Sequence, residues 1–240
     1  SGSVGIGIGF KWIKYGRADA VICGGVDVFN ILGHLIMSSM RLISNDQTKP
    51  FNPKQSGFVF GEGAAVIILE EREKALNRGA PIFAEILGCS TTCDAIDISR
   101  PDENGNSLRL AMMNAIKEAG LNTEDIDYIN AHGVGTATDF AEIEAIKKTF
   151  EHRQKPLYLN SIKGALGHMS GASGVVDIIF TILTMMKSRI PPTLHYNFKN
   201  DSFIRISDKE VRARVIYAIS NSLAFGGINS SIVVGKCCHE

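Results

Sequence analysis

The feature that most constrains the fold is an alternation of apolar, strand-like runs with segments of helical periodicity. Apolar runs bounded by glycine or polar residues predict strands at 19–28, 61–71, 81–95, 126–133, the start of 156–168, and twice within 214–236. Apolar residues at helical spacing predict helices at 107–121, 139–150 and 171–186. This alternation predicts an α/β fold, and the long apolar runs predict strands that are covered on both faces.

Composition argues against several classes of function. Lysine plus arginine equals aspartate plus glutamate at 25 residues each, so the 240-residue chain has no overall basic footprint for nucleic acid. The apolar segment 171–186 is too short to span a bilayer and carries Asp177, so we expect a buried helix and no membrane contact. The five cysteines show no paired framework, which indicates a reducing compartment and predicts a cytoplasmic protein.

Three polar loops follow predicted strands in the second part of the chain. They carry NAHG at 130–133, KGALGH at 163–168 and AFGGIN at 224–229. Because sites in layered α/β folds gather where strand ends converge, we expect these three loops to meet.

Two histidines and a lysine lie in these loops. His132 is followed by Gly133, and His168 precedes a glycine- and serine-rich helix start, where free N–H groups give a positive end. Together with Lys163 they are suited to polarising a carboxylate or thioester carbonyl, although each alone also fits an ordinary hydrogen-bonded loop residue. A metal site is disfavoured because neither histidine has a carboxylate three or four residues after it.

The chain resembles the elongating β-ketoacyl-acyl-carrier-protein synthases of the thiolase superfamily. The resemblance rests on NAHGVGT (130–136), K-x4-GH (163–168) and NS-x-x-FGG-x-N (221–229), in the family's order, and extends over essentially the whole chain. It implies a thiolase-like, five-layered α-β-α-β-α fold that here lacks most of its first half. Residues 1–78 would end the N-terminal half, residues 79–240 would form the C-terminal half, and a dimer is expected.

The resemblance implies a decarboxylative condensation between an acyl thioester and malonyl-acyl-carrier-protein, in fatty acid or polyketide synthesis. His132 and His168 match the family's catalytic histidines, and Lys163 matches a lysine that orients the site. The family has no tightly bound cofactor, and the phosphopantetheine arm of acyl carrier protein delivers the substrate.

Four further positions acquire expected roles from the same resemblance. Thr136 matches a threonine that hydrogen-bonds the phosphopantetheine arm, and Phe225 matches the phenylalanine that gates the acyl pocket. Asp177 stands where many relatives have a supporting glutamate. Arg41 falls where relatives place a basic residue facing acyl carrier protein, although an ordinary surface arginine fits equally well.

The family's nucleophilic cysteine is expected outside this sequence. It belongs to a C-x-S-G stretch whose last two residues align with Ser1 and Gly2, so it would lie two positions before Ser1. None of the five cysteines matches it. The resemblance therefore implies a further segment or subunit that carries the N-terminal half with the nucleophile.

Several residues depart from the family's pattern and indicate a specialised member. Val134 replaces a threonine, Leu223 and Ala224 replace Phe-Gly before the gating residue, and Asn52, Gln55 and Ser56 replace a set of charged residues. Two alternatives stay open: a decarboxylating relative without the cysteine, and a non-catalytic partner resembling a chain-length factor. Retention of His132 and His168 argues against the second.

The opening stretch SGSVGIGIGFKWIKYG superficially resembles a glycine-rich dinucleotide loop. No strand precedes it, so a dinucleotide-binding dehydrogenase is disfavoured. We expect instead a buried helix with Ile6, Phe10, Ile13 and Ile8 turned inward. Its glycines are then interpreted as spacers that allow close packing against another helix or a dimer partner.

Overall fold

The computed structural model describes residues 2–199 and 203–237; Ser1 and Cys238, which entered the predictions above, lie outside these ranges. The helices are α1 (Gly2–Lys14), α2 (Ile31–Ser39), α3 (Arg72–Asn77), α4 (Asn106–Glu118), α5 (Thr138–Thr149), α6 (Lys163–Leu166) and α7 (Ser170–Lys187). The strands are β1 (Ala20–Asp27), β2 (Gly63–Glu70), β3 (Glu85–Cys93), β4 (Tyr128–Asn130), β5 (Leu157–Asn160), β6 (Arg189–Ile190), β7 (Ile204–Arg205), β8 (Val211–Arg212), β9 (Tyr217–Ala224) and β10 (Ile228–Gly235).

The larger sheet has six strands in the order β3-β10-β9-β4-β5-β7. Strands β9, β4, β5 and β7 run parallel, whereas β3, β10 and β9 are antiparallel neighbours. Because β9, β4 and β5 point the same way, their carboxyl ends meet at one edge of the sheet. The loops carrying NAHG, KGALGH and AFGGIN leave from that edge, as the sequence predicted.

This sheet is covered on both faces. Ile129, Ile219 and Val233 belong to one apolar cluster with side chains of α4 and α5, and Tyr128 and Ile232 belong to a second cluster with side chains of α1 and α7. The alternation of Ile232 and Val233 between the two clusters follows directly from the period-two geometry of a strand. For this sheet the predicted burial of both faces is confirmed.

The sheet formed by β1 and β2 is covered on one face only; a further two-stranded sheet pairs β6 with β8 antiparallel. Strands β1 and β2 pair antiparallel from Ala20↔Glu70 to Asp27↔Gly63, and their inner side chains pack against α1 and α7. Their outer side chains Ile22, Val26, Val66 and Ile68 are 61–75% exposed. The prediction of burial on both faces is therefore wrong for these two strands, since among the described residues no element packs on the outer side.

Four layers result from this packing. Helix α4, with α5 beside it, lies on one face of the six-stranded sheet; α1 and α7 lie between the two sheets; and β1 with β2 forms the outermost layer. This α-β-α-β order accounts for four of the five layers expected from the resemblance. The predicted boundary near residue 78 falls between α3 and β3 and stays a prediction.

Helix α1 confirms the interpretation of its glycines as spacers against another helix at Gly2, whereas Gly9 allows close packing against a strand. A Cβ added at Gly2 would lie 2.5 Å from Val175 Cγ2 of α7, and one at Gly9 would lie 2.7 Å from Cys23 Sγ of β1. Ile6 is fully buried. The inward orientation expected for Ile8 is wrong, because Ile8 is 49% exposed.

Two local features were not predicted. Helix α2 is capped by Asn30, whose side-chain oxygen accepts hydrogen bonds from Leu32 N and Gly33 N, but its exposed apolar residues give no amphipathic signal. The loop expected after β5 contains the single helical turn α6, which begins at Lys163.

One described helix, α7, is long and apolar enough to cross a membrane by length and composition. Half of that helix is buried inside the fold, and Asp177 lies in its middle. A buried core helix of a folded protein meets the same criteria of length and composition. The position of α7 between two sheets agrees with the buried helix expected from the sequence.

Candidate functional site

The candidate site is a cavity of about 240 Å³ at the edge where β9, β4 and β5 end. Its lining includes both predicted histidines, and it draws on all three strand-end loops. His132 follows β4 by two residues, and His168 lies between α6 and α7. The predicted convergence of the three loops is thus present in the structure.

The two histidine rings are in contact edge to face. Their centroids are 5.5 Å apart and their planes are nearly perpendicular, at 87°. His132 is only 6% exposed. Two ring nitrogens from separate loops are therefore presented to one small, largely apolar space.

Contacts on three sides fix His168. Its backbone N donates to Val59 O at 2.8 Å, and its carbonyl accepts from Gly61 N at 3.1 Å. Phe58 packs against the imidazole edge to face, with centroids 5.0 Å apart. The segment 58–61, which precedes β2, therefore positions a side chain that belongs to the second part of the chain.

Lys163 and Asp177 form a buried ion pair next to the histidines. Lys163 Nζ lies 2.8 Å from Asp177 Oδ2, and both side chains are 2% exposed. Burial raises the pKa of the Asp177 carboxyl, and the Lys163 ammonium opposes that shift. The shorter side chain of aspartate at this position still reaches the lysine.

Both histidines are neutral in the folded protein. Burial, with the nearby positive charge of Lys163, lowers the pKa of His168 to about 3. The pKa of His132 is lowered well below its usual value by burial first, then by Lys163 and by His168. A neutral imidazole carries one N–H donor, and such a donor stabilises a developing oxyanion most strongly in a dry cavity.

Two buried carboxylates of α5 hold the loop that carries His132. Glu142 accepts hydrogen bonds from His132 N at 2.9 Å and from Gly133 N at 3.0 Å. Asp139 accepts from Val134 N at 2.8 Å and from Phe51 N at 2.8 Å. These interactions satisfy successive backbone donors in a loop that has no secondary structure of its own.

The sequence interpretation missed the role of these carboxylates and placed Asp139 only at a helix start. Asp139 and Glu142 are three residues apart, so they share a helix face, and that spacing after a glycine-rich loop was the available signal. Burial raises the pKa of Asp139 to about 6 and that of Glu142 to about 7. The hydrogen bonds from backbone N–H groups oppose both shifts.

Glu142 also connects the His132 loop to β9. Its Oε1 accepts from Asn221 Nδ2 at 3.2 Å, and Asn221 Oδ1 accepts from Ser231 Oγ at 2.8 Å. Ser161 Oγ donates to Gly133 O at 2.6 Å and thereby ties the loop after β5 to the same turn. Buried hydrogen bonds therefore link the loop after β4 to the loop after β5 and to strand β9.

Three of the other predicted residues lie at the cavity or beside it. Thr136 lines the cavity and its hydroxyl lies 3.0 Å from that of Thr138. Phe225 lines the cavity from the β9–β10 turn and is 43% exposed. Arg41 is exposed and adjoins Leu42, which lines the cavity. The functional roles of these residues stay predictions.

None of the four described cysteines lines the cavity. Burial raises the pKa of the Cys23 thiol, and burial together with Glu118 raises that of Cys89 to about 11, so both are packing residues. Cys93 is exposed, and its Sγ lies 3.2 Å from Gly226 O. Within the described ranges no group of three or more histidine, cysteine, aspartate or glutamate side chains is arranged to hold a metal ion.

Two family models match the chain. The β-ketoacyl synthase N-terminal domain matches residues 1–75, and the β-ketoacyl synthase C-terminal domain matches residues 83–197. Among curated proteins, 3-oxoacyl-(acyl-carrier-protein) synthase 2 of Staphylococcus aureus strain COL is 38% identical, with 98% of this chain and 59% of the relative covered. A Schizosaccharomyces pombe protein, named as a mitochondrial 3-oxoacyl-(acyl-carrier-protein) synthase, is 36% identical, again with 98% of this chain and 59% of the relative covered.

Solved structures agree with the sequence comparison. A β-ketoacyl synthase from Burkholderia phymatum superposes with a TM-score of 0.92 at 31% identity, over 99% of this chain and 60% of that one. A type II polyketide synthase ketosynthase, solved in complex with its acyl-carrier protein, gives a TM-score of 0.93 at 28% identity, over 98% and 60%. The chain therefore spans about three fifths of the length of the relatives that it matches.

Proposed function

The chain belongs to the β-ketoacyl synthase family of the thiolase superfamily, and we propose that it supplies the histidine and lysine part of a β-ketoacyl-acyl-carrier-protein synthase site. The observation that carries this proposal is the pair of neutral imidazoles, 5.5 Å apart in one cavity and backed by the buried Lys163–Asp177 pair. The reaction is a decarboxylative condensation of an acyl thioester with a malonyl thioester, in fatty acid or polyketide synthesis.

In this reaction the C–C bond between the malonyl carboxylate and its methylene breaks, and carbon dioxide leaves. The electron pair stays on the methylene carbon as an enolate, which attacks the carbonyl of the acyl thioester and expels a cysteine thiolate. His132 and His168 donate N–H hydrogen bonds to the thioester oxygen where negative charge develops. Lys163 contributes positive charge that lies 2.8 Å from Asp177 and that, after burial, helps to lower the pKa of both imidazoles.

Thr136 and Phe225 are assigned the delivery of substrate. A phosphopantetheine arm enters the cavity past the half-buried Thr136, whose hydroxyl is available to hydrogen-bond it, and Phe225 closes the acyl side from the β9–β10 turn. Arg41, exposed at the same end, provides a positive contact for an acidic acyl carrier protein. The arm is a substrate carrier, and the proposal involves no tightly bound cofactor.

The nucleophilic cysteine is assigned to a preceding segment or a partner subunit. This is supported by the positions of Cys23, Cys89 and Cys93, of which none lines the cavity, and by the exposed outer face of β1 and β2. We use "the complete assembly" for this chain together with the N-terminal half that carries the nucleophile, assembled as a homo- or heterodimer. A cytoplasmic location is part of the same proposal.

The test is reconstitution of the complete assembly with an acyl-loaded and a malonyl-loaded acyl carrier protein. We expect a β-ketoacyl product, and we expect His132→Ala to abolish it while the protein stays folded. His152→Ala is the matched control, because the His152 side chain is 93% exposed and does not line the cavity. A folded wild-type assembly that forms no β-ketoacyl product would refute the proposal.

A second candidate function is decarboxylation without condensation. It is favoured by the combination of an intact histidine pair with a cavity that none of the described cysteines reaches. Release of carbon dioxide from malonyl-acyl-carrier-protein with no β-ketoacyl product would establish it. An assembly whose activity is unchanged by His132→Ala would instead support a non-catalytic partner that resembles a chain-length factor.

A further inference from the structure

The role proposed for His168 depends on which of its ring nitrogens carries the proton. A neutral imidazole donates from one nitrogen and accepts at the other, and the hydrogen bond made by one nitrogen selects the tautomer. In this chain Nδ1 of His168 lies 2.9 Å from Ser173 Oγ, on the first turn of α7. Ser173 is therefore in direct contact with a candidate catalytic side chain.

A second hydrogen bond at the same hydroxyl favours one direction for the first. Met169 N donates to the same Ser173 Oγ at 2.9 Å. A backbone N–H is only a donor, so it occupies a lone pair of the hydroxyl oxygen. The hydroxyl keeps its hydrogen and a second lone pair. In the described part of the chain its other hydrogen-bond partner is Nδ1 of His168, which is able to accept that hydrogen. A bond donated by Nδ1 would instead leave the buried hydroxyl hydrogen without an acceptor.

We propose that Ser173 is a positioning residue that donates to Nδ1 of His168 and thereby holds the imidazole as its Nε2–H tautomer. Nε2 is then the ring nitrogen left to donate to a substrate carbonyl. The inference rests on the proposed function for its catalytic meaning, whereas the tautomer itself is a property of the protein alone.

The packing around Ser173 keeps this hydroxyl in place. Ser173 is 7% exposed, so little water competes for its hydrogen bonds. The next residue, Gly174, lies so close to α1 that an added Cβ would be 2.6 Å from Ser3 N, which fixes the start of α7 against its neighbour. Phe58 packs on the His168 ring and limits its rotation away from the serine.

The first experiment reads the tautomer by ¹⁵N NMR of histidine-labelled complete assembly, with His168 assigned through His168→Gln. In the wild type we expect a protonated, pyrrole-type signal for Nε2 and an unprotonated, pyridine-type signal for Nδ1. In Ser173→Ala we expect the two signals to move toward each other as both tautomers become populated. Alanine favours a helix more than serine, so this variant is expected to fold.

Two further variants separate the hydrogen bond from a general packing effect. Ser173→Thr keeps the hydroxyl and is expected to retain the wild-type signals. Thr91→Val removes a hydroxyl from an exposed position of β3 and is expected to leave His168 unchanged. The proposal is overturned if the wild type carries the proton on Nδ1, if Ser173→Ala keeps the wild-type signals, or if Ser173→Thr shifts as Ser173→Ala does.

Kinetics of the same variants give a second readout. In Ser173→Ala the imidazole of His168 loses the hydrogen bond that orients it as a donor to the transition state. We therefore expect kcat to fall by about fivefold to tenfold, with little change in KM. An unchanged kcat alongside an active wild type would contradict the positioning role. A wild-type assembly without condensing activity would refute the proposed function, while the NMR measurement would still decide the tautomer.

Discussion

The six-stranded sheet and the β1–β2 sheet of this protein both contain apolar strands but differ in what covers them. The six-stranded sheet has helices on both faces, and Ile129, Ile219 and Ile232 within it are fully buried. In the two-stranded sheet the inner side of β1 is buried at Cys23, whereas Ile22 on its outer side is 75% exposed. Apolar strand composition therefore does not reveal whether a second covering layer is present.

The difference extends to the charged residues. Around the six-stranded sheet, Lys163, Asp177, Asp139 and Glu142 are buried and all are hydrogen-bonded. Around the two-stranded sheet the charges form surface pairs, such as Lys74 with Asp19 at 2.6 Å. Surface pairs contribute little to stability, whereas buried charges are costly to separate. The chemistry of the candidate site thus belongs to the region that excludes water on both sides.

Breaking the Lys163–Asp177 pair should have the largest effect. Lys163→Met leaves the Asp177 carboxyl buried without its partner and should lower the free energy of unfolding by roughly 3–5 kcal/mol. Denaturant unfolding of the wild type and the variant measures this difference.

The double variant Lys163→Met with Asp177→Leu is the control for this prediction. It replaces the buried pair with apolar side chains and should recover most of the lost stability. Activity should not recover, because the positive charge beside the imidazoles is gone. Equal stability of the single and double variants would show that the pair is not the dominant contribution.

Truncation of one isoleucine in each sheet tests the comparison directly. Ile219→Ala removes a fully buried side chain from β9 and should cost about 2–5 kcal/mol. Ile22→Ala, on the outer face of β1, should change the stability of the 240-residue chain by at most about 0.5 kcal/mol. Thermal or denaturant unfolding of the three proteins gives both differences.

The same pair of variants then tests what covers β1 and β2. If the N-terminal half of the complete assembly packs on this outer face, the cost of Ile22→Ala should rise there toward that of Ile219→Ala. A cost that is already large in the 240-residue chain would mean that the face is not exposed as the structure shows.

Local sequence signals predicted the parts of the fold that depend on neighbouring residues. The helical periodicity of 107–121 predicted α4, in which Leu108, Met112 and Ala115 are buried, and Gly120 follows that helix with a φ of +70°. Gly226 and Gly227 both have positive φ, as a tight turn between two strands requires. The convergence of the three loops followed from strand direction alone.

The remaining features depend on contacts between distant segments. Glu142 is buried because backbone N–H groups of His132 and Gly133 satisfy it, and its spacing from Asp139 indicates a shared helix face without showing that this face is buried. The contact of Ser173 with His168 requires the bend between α6 and α7. Ile8 was assigned inward because helical spacing alone does not say which side of α1 has a partner.

Glu142 should give a smaller effect that depends on pH. Because its folded pKa of about 7 lies above the ordinary carboxyl value, its contribution to stability is complete at low pH and is lost as the pH rises through about 7. Glu142→Gln removes this dependence and replaces one acceptor by an N–H₂ group that faces backbone donors. We expect a loss of about 1–3 kcal/mol at acidic pH and a flatter pH profile than that of the wild type.

Denaturant unfolding across the acidic to neutral range measures both effects. Glu144→Gln is the matched control on the same helix, since the Glu144 side chain is 48% exposed. It should leave the wild-type profile unchanged. An unaltered profile in Glu142→Gln would assign the pH dependence to other groups, with Asp139, whose pKa is about 6, as the next to test.

The smallest effect expected is the absence of histidine titration at the site. The folded pKa of His168 is about 3, below the unfolded value, so its contribution to stability is present above the usual histidine range and is lost only as the pH falls toward 3. Between about pH 8 and about pH 5, where histidines usually titrate, the ring signals of His168 should therefore stay constant in an NMR titration. In the same interval the kcat/KM of the complete assembly should show no step caused by His168. The contrary result is a step in both measurements with a midpoint in the usual histidine range, where the NMR step is absent from His168→Gln. It would mean that water reaches the imidazole and that the cavity is not the dry site that its burial implies.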